Sequence, residues 1–373
     1  MKLFRYLAII VLMLVFTGCN QENEVKKEEP KKESTTMMVQ DTLGRSVEIP
    51  SSIERIATVN VDAFRMIVQL GAEDKLVGIP SNMYGSKFSK EKTIETLAFS
   101  KLEETPQVGG GQPGSEMNIE KVMDTDPDVF IIWSFSRGEN KDNLIEQADQ
   151  LQEQLGTPVL AINTLDSERN LNKVMKNIEK TYTLMGKIVG EEKRAKQLID
   201  YYEEQVKEVT NRIKNEPKPN VYLANRTNLY SNNSFYVPIE QLGVTNVASK
   251  RAGQDGEISA EQLIEWNPDY IFLHTISSGN RIEMDSIYND NRLSDITAIK
   301  NKDIYRFKGT YMGWDIATGL VDLVYMGKIM FPYAMNDVSV EEKGEEILQF
   351  FYDTEGLYDH LSEQSDYKSW EEK

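Results

Sequence analysis

From residue 39 onward, short apolar runs bounded by Pro, Gly or Asp alternate with longer stretches whose apolar residues recur at helical spacing. Arg55–Val59 and Leu76–Ile79 read as strands flanking an apolar-striped helix, Ala63 to Leu70, that Gly71 ends. Val129–Trp133 and Val159–Ile162 read as two more strands, with a helix from about Asn143 to Leu155 between them. Short continuous apolar runs suit strands buried on both faces of a parallel sheet, and their alternation with helices indicates α/β units. From Ser167 to Ile213 the chain has no Pro, and apolar residues recur from Leu171 and Val174 through Ala195 and Leu198 to Val209. Spacing sustained over that length predicts one long helix, with Gly186 and Gly190 as the places where it would break or bend. Pro217 and Pro219 end it, and Asn220–Ala224 opens a second set of strands. The expected fold is therefore α/β, with two Rossmann-like lobes of mostly parallel sheet at 39–166 and 217–373. One long bridging helix over 167–216 joins them, a stiff link that implies limited opening and closing. Residues 340–361 form an amphipathic ending expected to pack on the second lobe, and the tail from Ser362 is charged.

The two lobes share a repeated segment. Glu120 to Asp128 followed by Val129–Trp133, and Glu261 to Asp269 followed by Tyr270–His274, both read as a short helix, a Pro-Asp turn and a strand. In each copy the Pro lies seven positions after the Glu, and the last strand residue thirteen after it. Two lobes on one plan place a cleft between them, and ligand pockets favour such interfaces.

The first residues give a location. Lys2 and Arg5 precede an apolar run from Leu7 to Phe16 and then Thr17-Gly18-Cys19. That run is too short to span a bilayer and suits an export signal over residues 1–18. Cys19 is the sole cysteine, so no disulfide framework supports the fold. Residues 19–38, rich in Glu, Lys, Asn and Pro, read as a disordered tether. The formal charge of the chain is −18, and loss of Lys2 and Arg5 with the signal takes it to −20. Such an acidic body lacks the basic face that nucleic acid requires.

Several chemistries are disfavoured. Gly109 to Gly114 satisfies G-x-G-x-x-G, but Pro113 stands where a dinucleotide fingerprint opens its helix, and no clear apolar strand precedes the loop. It reads better as a flexible cleft wall. With only His274 and His360, a multi-histidine metal site is excluded, although a carboxylate site is not. There is no G-x-S-x-G elbow, no P-loop and no cysteine in the body, which leaves an exported hydrolase acting through two acids as the enzyme alternative.

The segment before Cys19 resembles a bacterial lipobox, which implies cleavage before Cys19 and diacylation of its thiol. With the tether, Asp41-Thr42-Leu43-Gly44-Arg45, Ile53-Glu54-Arg55-Ile56, Leu70-Gly71-Ala72, Val108-Gly109, both repeat segments and Asp303-Ile304-Tyr305, the chain resembles substrate-binding lipoproteins of ABC importers. The similarity is to the helical-backbone class serving iron-siderophore, haem and cobalamin uptake. It implies a monomer with no cofactor, lipid-anchored on the extracytoplasmic face, that delivers a small-molecule metal chelate to an ABC permease and its ATPase. The Glu of each repeat matches the family position that docks on permease Arg residues, so Glu120 and Glu261 inherit that role; a helix N-terminal acid satisfying its dipole is the plain alternative.

The ligand is expected where loops beyond the strand ends of both lobes face each other. Candidates are Asn60, Tyr84 and the stretch Trp133 to Arg137 in the first lobe, and Arg226, Tyr230, Arg251, His274, Tyr311 and Trp314 in the second. Aromatic walls with a few Arg groups suit ferric siderophores and corrinoids. Core packing is the alternative for each aromatic, and a solvated surface charge for each Arg. Haem-binding relatives pair a His after this strand with a Met from the first lobe, which would assign His274 and Met117 as axial ligands. Ferric siderophore, corrinoid, haem and oxyanion remain open as ligands, in that order.

Overall fold

The structure, a computed structural model, describes residues 35–81, 83–84, 93–111, 113–136, 139–163, 169–224, 228–250, 256–274, 282–307 and 315–365. The expected export signal, Cys19 and the expected tether up to residue 34 lie outside the described residues, as do Arg137, Arg226, Arg251, Tyr311 and Trp314.

The first half runs as strands β1 (Thr36–Gln40), β2 (Ser46–Pro50) and β3 (Ile56–Thr58), then helix α1 (Val61–Gln69), β4 (Leu76–Gly78), α2 (Ile94–Ala98) and α3 (Ile119–Asp124), and finally β5 (Val129–Trp133), α4 (Lys141–Leu155) and β6 (Val159–Ile162). Strands β1 and β2 form a hairpin, so residues 36–38, expected in the tether, belong to the folded body. Val39, Val47 and Ile49 drive this by entering the core. The other strands make a parallel sheet in the order β4-β3-β5-β6.

Helices α5 (Leu171–Val189) and α6 (Glu192–Arg212) follow. The second half continues through β7 (Asn220–Ala224), β8 (Ser231–Asn232), α7 (Val237–Leu242), β9 (Thr245–Asn246), β10 (Gly256–Glu257), α8 (Ala260–Trp266) and β11 (Tyr270–His274). It ends with α9 (Met284–Tyr288), α10 (Thr297–Lys300), β12 (Ile304–Phe307), α11 (Ile316–Met330), α12 (Val340–Tyr352) and α13 (Leu357–Ser365). Here β9-β7-β11-β12 are parallel, and β8 and β10 extend the sheet antiparallel beyond β7. Numbered by their order in each half, both parallel sets run 2-1-3-4. The repeat seen in one segment thus extends to the sheets.

Alternate residues of each strand face two different cores. Ile56, Val129, Ile131, Leu160 and Ile162 of the first sheet share one contiguous cluster with Val221, Leu223, Phe272, Tyr305 and Phe307 of the second, through α1, α5, α6, α11 and α12. The opposite faces close separate outer clusters, around Phe130 and Val159 in the first half and around Tyr222 and Ile271 in the second.

The connection differs from the single rod expected. Gly190 takes a left-handed conformation (φ 78°) as the C-cap of α5 and donates its N–H to the Gly186 carbonyl, and Glu191 N–H donates to the same oxygen at 2.7 Å. The chain reverses there, and α5 and α6 pack as a hairpin. Only α6, 21 residues and about 31 Å long at 1.5 Å per residue, is the bridge. Its start is fixed to the first half by Arg194 Nε donating to the Gln69 carbonyl at 3.2 Å, and its end to the second by the Arg212–Asp337 pair at 2.7 Å.

The ending is also more than expected. Helix α12 packs on α11, but Tyr352 accepts a hydrogen bond from Gln69 Nε2 of α1 at 2.9 Å and donates to Asp315 Oδ2 at 3.2 Å. Its ring meets Phe99 at 6.4 Å, and α13 packs on α2. Residues 340–365 therefore belong to both halves, not to the second alone.

Candidate functional site

In a 2-1-3-4 parallel sheet the chain switches direction between its first and third strands, and ligands sit beyond the carboxyl ends there. In the first half that point lies between β3 and β5, at Val59–Asn60 and Trp133–Phe135. In the second it lies between β7 and β11, where His274 closes β11. Trp133 and His274, equivalent in the repeat, thus stand at equivalent strand ends.

The individual residues divide sharply. Asn60 is fully buried and caps α1. Its Oδ1 accepts from Asp62 N–H at 2.9 Å and Ala63 N–H at 3.1 Å, while Nδ2 donates to the carbonyls of Ile162 at 2.9 Å and Ile132 at 3.3 Å. All four hydrogen-bonding positions of the amide are occupied, so Asn60 sews β5 and β6 to the start of α1 and has nothing left for a ligand. Tyr84 is likewise buried, with its hydroxyl donating to the Phe99 carbonyl at 2.7 Å and its ring edge-on to Phe64. Burial raises its phenol well above the ordinary tyrosine range. Tyr230 is half-buried against the outer cluster of the second half.

Trp133 is different. Its ring packs partly against the shared core, yet its indole Nε1–H is buried with no acceptor. A buried indole N–H ordinarily finds a partner. Two residues on, Phe135 is 44% exposed, on the loop that leaves the same strand. Nothing in the sequence separates Phe135 from its neighbours in the stretch Trp133 to Arg137; only its exposure distinguishes it from a core aromatic.

His274 is buried and meets Phe307 edge-on at 5.5 Å. Met117, half-buried, packs against the outer cluster of the first half, and its backbone bridges to Gly109. Among the described residues no group of His, Cys, Asp and Glu is placed to hold a metal ion.

Within the glycine loop, Gly110 and Gly111 are pinned. Gly111 N–H donates to the Val59 carbonyl at 2.8 Å and Gly110 N–H to the Glu116 carbonyl at 2.7 Å. Gly110 needs its positive φ of 70°, and a Cβ there would stand 2.5 Å from Val59 Cβ. Among the described residues of this loop no helix opens; α3 begins at Ile119, after the cap Asn118.

Glu120 and Glu261 are both exposed, each the second residue of its helix, behind the caps Asn118 and Ser259. The likeness continues inward. Asp126 and Asn267, each before the Pro, are left-handed at φ 43° and 41°. Asp128 Oδ2 accepts from Glu54 and Arg55 N–H at the entry to β3, and Asp269 Oδ2 from Asn220 N–H at the entry to β7. The Glu261 carboxyl is held below the ordinary glutamate range by its own backbone N–H and the Ser259 side chain, with Arg292 adding to the effect.

Two surface hollows lie away from the strand carboxyl ends. One of about 590 Å³, lined by Arg55, Leu76, Thr105 and Lys121, sits at the amino ends of β3 and β4. One of about 890 Å³ opens where α1 and α12 end and α6 begins. The strand ends, with their unsatisfied indole and exposed phenyl ring, remain the candidate ligand site.

Residues 56–311 match the family model described as periplasmic binding protein. The chain belongs to that family. It is 24% identical over 338 residues to the molybdate-binding protein MolA of Haemophilus influenzae, covering 85% of this chain and 91% of that one. It is 20% identical over 313 residues to the iron(3+)-hydroxamate-binding protein FhuD of Bacillus subtilis, covering 80% and 87%. A periplasmic solute-binding protein structure from Veillonella parvula superposes with a TM-score of 0.69 at 24% identity, over 89% of this chain and 97% of that one. The bilobed α/β architecture is that of the family, and the chain is the solute-binding component of an ABC importer. No helix among the described residues is long and apolar enough to cross a membrane.

Proposed function

We infer that this binding protein is anchored through a lipid on Cys19 at the extracytoplasmic face of the membrane, captures a ferric chelate between its lobes, and hands it to a permease through Glu120 and Glu261. It carries out no reaction of its own; ATP hydrolysis belongs to its partners. The observation that carries the cargo reading is the pair at the end of β5, a buried indole N–H without an acceptor and a phenyl ring 44% exposed two residues on. A bulky chelate with oxygen-rich ligands and apolar arms can accept from the first and cover the second. Arg137, Arg226 and Arg251 would supply positive charge to an anionic chelate, with Tyr311 and Trp314 as further walls.

A second reading is a bare oxyanion, favoured by the similarity to a molybdate-binding protein. Such an ion would use the indole N–H but leave Phe135 in water. Haem through His274 and Met117 has less support, because Met117 packs on the outer cluster of its own lobe.

Tryptophan fluorescence of the soluble body, residues 20–373, titrated with ferric hydroxamates, ferric catecholates, cobalamin, haemin and molybdate separates these readings. Tight quenching by one ferric chelate class, weakened at least tenfold by Trp133→Phe, is the expected result. Quenching by molybdate alone would replace the chelate with the oxyanion, and by haemin alone with haem.

A further inference from the structure

Among the described residues, five large apolar side chains are exposed: Met38, Met123, Phe135, Ile264 and Tyr333. Two of these are repeat mates. Met123 follows Glu120 by three residues, and Ile264 follows Glu261 by three. Residues three apart share a helix face, so each lobe presents a carboxylate and, one turn on, an apolar side chain. Met123 is 54% and Ile264 37% exposed. The neighbours Val122 and Leu263 are fully buried at the matching inward positions, and matched caps and left-handed residues frame both helices. Equal frames put these two apolar groups in equal places on the two lobes, although neither serves its own core.

We propose that Met123 and Ile264 are paired apolar anchors that seat the protein on the two permease subunits, each subunit offering a hollow beside the cation that meets Glu120 or Glu261. This rests on the reading of the two glutamates as docking residues and adds what holds the complex once charge has oriented it. Two features commit the site to that occupant. The patch is duplicated, which fits a partner with two equivalent surfaces, and each copy carries a negative charge, which a cation opposite would complement. Energetics favours the same division of labour. An exposed ion pair contributes little net affinity and weakens with salt, and charge across an interface chiefly steers and selects. Burial of the exposed part of a Met or Ile side chain is favourable in proportion to the apolar area removed from water and does not weaken with salt.

The test measures binding of the soluble body to the importer complex in nanodiscs, at low and high salt, for Met123→Gln, Ile264→Gln, Glu120→Gln, Glu261→Gln and, as a control, Tyr333→Gln, an exposed aromatic outside the repeat. All five positions are on the surface, and thermal unfolding checks that each variant folds. The expected result is a loss of about tenfold for each apolar variant that persists at high salt, a loss for the glutamate variants that fades with salt, and no change for Tyr333→Gln. Wild-type binding by the apolar variants, with the glutamate variants weakened, would overturn the anchors and leave the docking reading standing. Wild-type binding by all four would overturn both. An equal loss with Tyr333→Gln would also overturn the proposal, since the repeat would then carry no special contact.

Discussion

At the scale of single residues, the charged groups inside this protein are positioned by partners rather than by water. Arg65 and Glu95, both buried, form an ion pair that joins α1 to α2, with Asp62 Oδ1 3.5 Å from the same guanidinium. Burial alone pushes the Glu95 carboxyl up; the Arg65 guanidinium, with a Thr93 hydrogen bond, more than reverses this and leaves it below the ordinary glutamate range. A depressed folded value gives stability that is present above the unfolded value, about 4.3, and is lost as pH falls through the folded one. Glu95→Gln should therefore cost about 3–5 kcal/mol near neutrality, since it leaves Arg65 buried without its main counter-charge. The gap to wild type should narrow below roughly pH 4. Urea unfolding across a pH series checks this, and a gap unchanged down to pH 3 would refute it. Asn60 teaches the converse lesson about legibility. The sequence places it just after a strand, yet an Asn there reads equally as ligand contact or helix cap. Only the carbonyls of Ile132 and Ile162, more than 70 residues away in sequence, decide for the cap.

At the scale of elements, the strands and helices around the repeat were legible because each satisfies a local pattern: β5, β6, β7 and β11 fall on the apolar runs that predicted them. The long helix was not, because both α5 and α6 lay an apolar stripe on the same core. The 3.6 periodicity therefore runs on through the turn that separates them. Glycine carries the information that periodicity hides, and the two glycines act differently. A Cβ at Gly190 meets nothing within 4 Å, so Gly190→Ala bears only the left-handed backbone cost, about 1 kcal/mol. A Cβ at Gly186 would stand 2.7 Å from Ala195 Cβ and 3.2 Å from the Glu191 carbonyl, so Gly186→Ala forces the hairpin apart at about 1–3 kcal/mol. Urea midpoints should rank Gly186→Ala as the more damaging. Ala195→Gly should recover part of that loss and none of the loss at Gly190, because it removes the methyl group that Gly186→Ala strikes. Equal effects at the two glycines, or no recovery, would mean that α5 and α6 do not meet as described.

At the scale of the whole molecule, the inner faces of both sheets close on one contiguous core, and two separate elements cross it. Helix α6 runs from Gln69 in the first half to Asp337 in the second. Helix α12 brings Tyr352 between Gln69 and Asp315, and Tyr182 donates to Gln69 Oε1 at 2.5 Å. None of this cross-linking was legible, because a sequence shows which residues prefer burial but not which half buries them; the ending at 340–365 could have covered either lobe. A hinged clamp needs an interface that parts along a plane, whereas here any large rotation would shear close-packed side chains and break buried hydrogen bonds, each net worth about 0.5–1.5 kcal/mol and more when a partner is left unpaired. Capture should therefore proceed by rearrangement of loops at the strand ends, with the two sheets moving as one body. Small-angle scattering of the soluble body, with and without the chelate selected by titration, should give superimposable curves and one radius of gyration. Hydrogen exchange on the same samples should slow at the strand-end loops and stay unchanged in α6 and α12. A smaller radius on loading, with altered exchange in α6, would show instead that the bridge bends and that the shared core is the hinge.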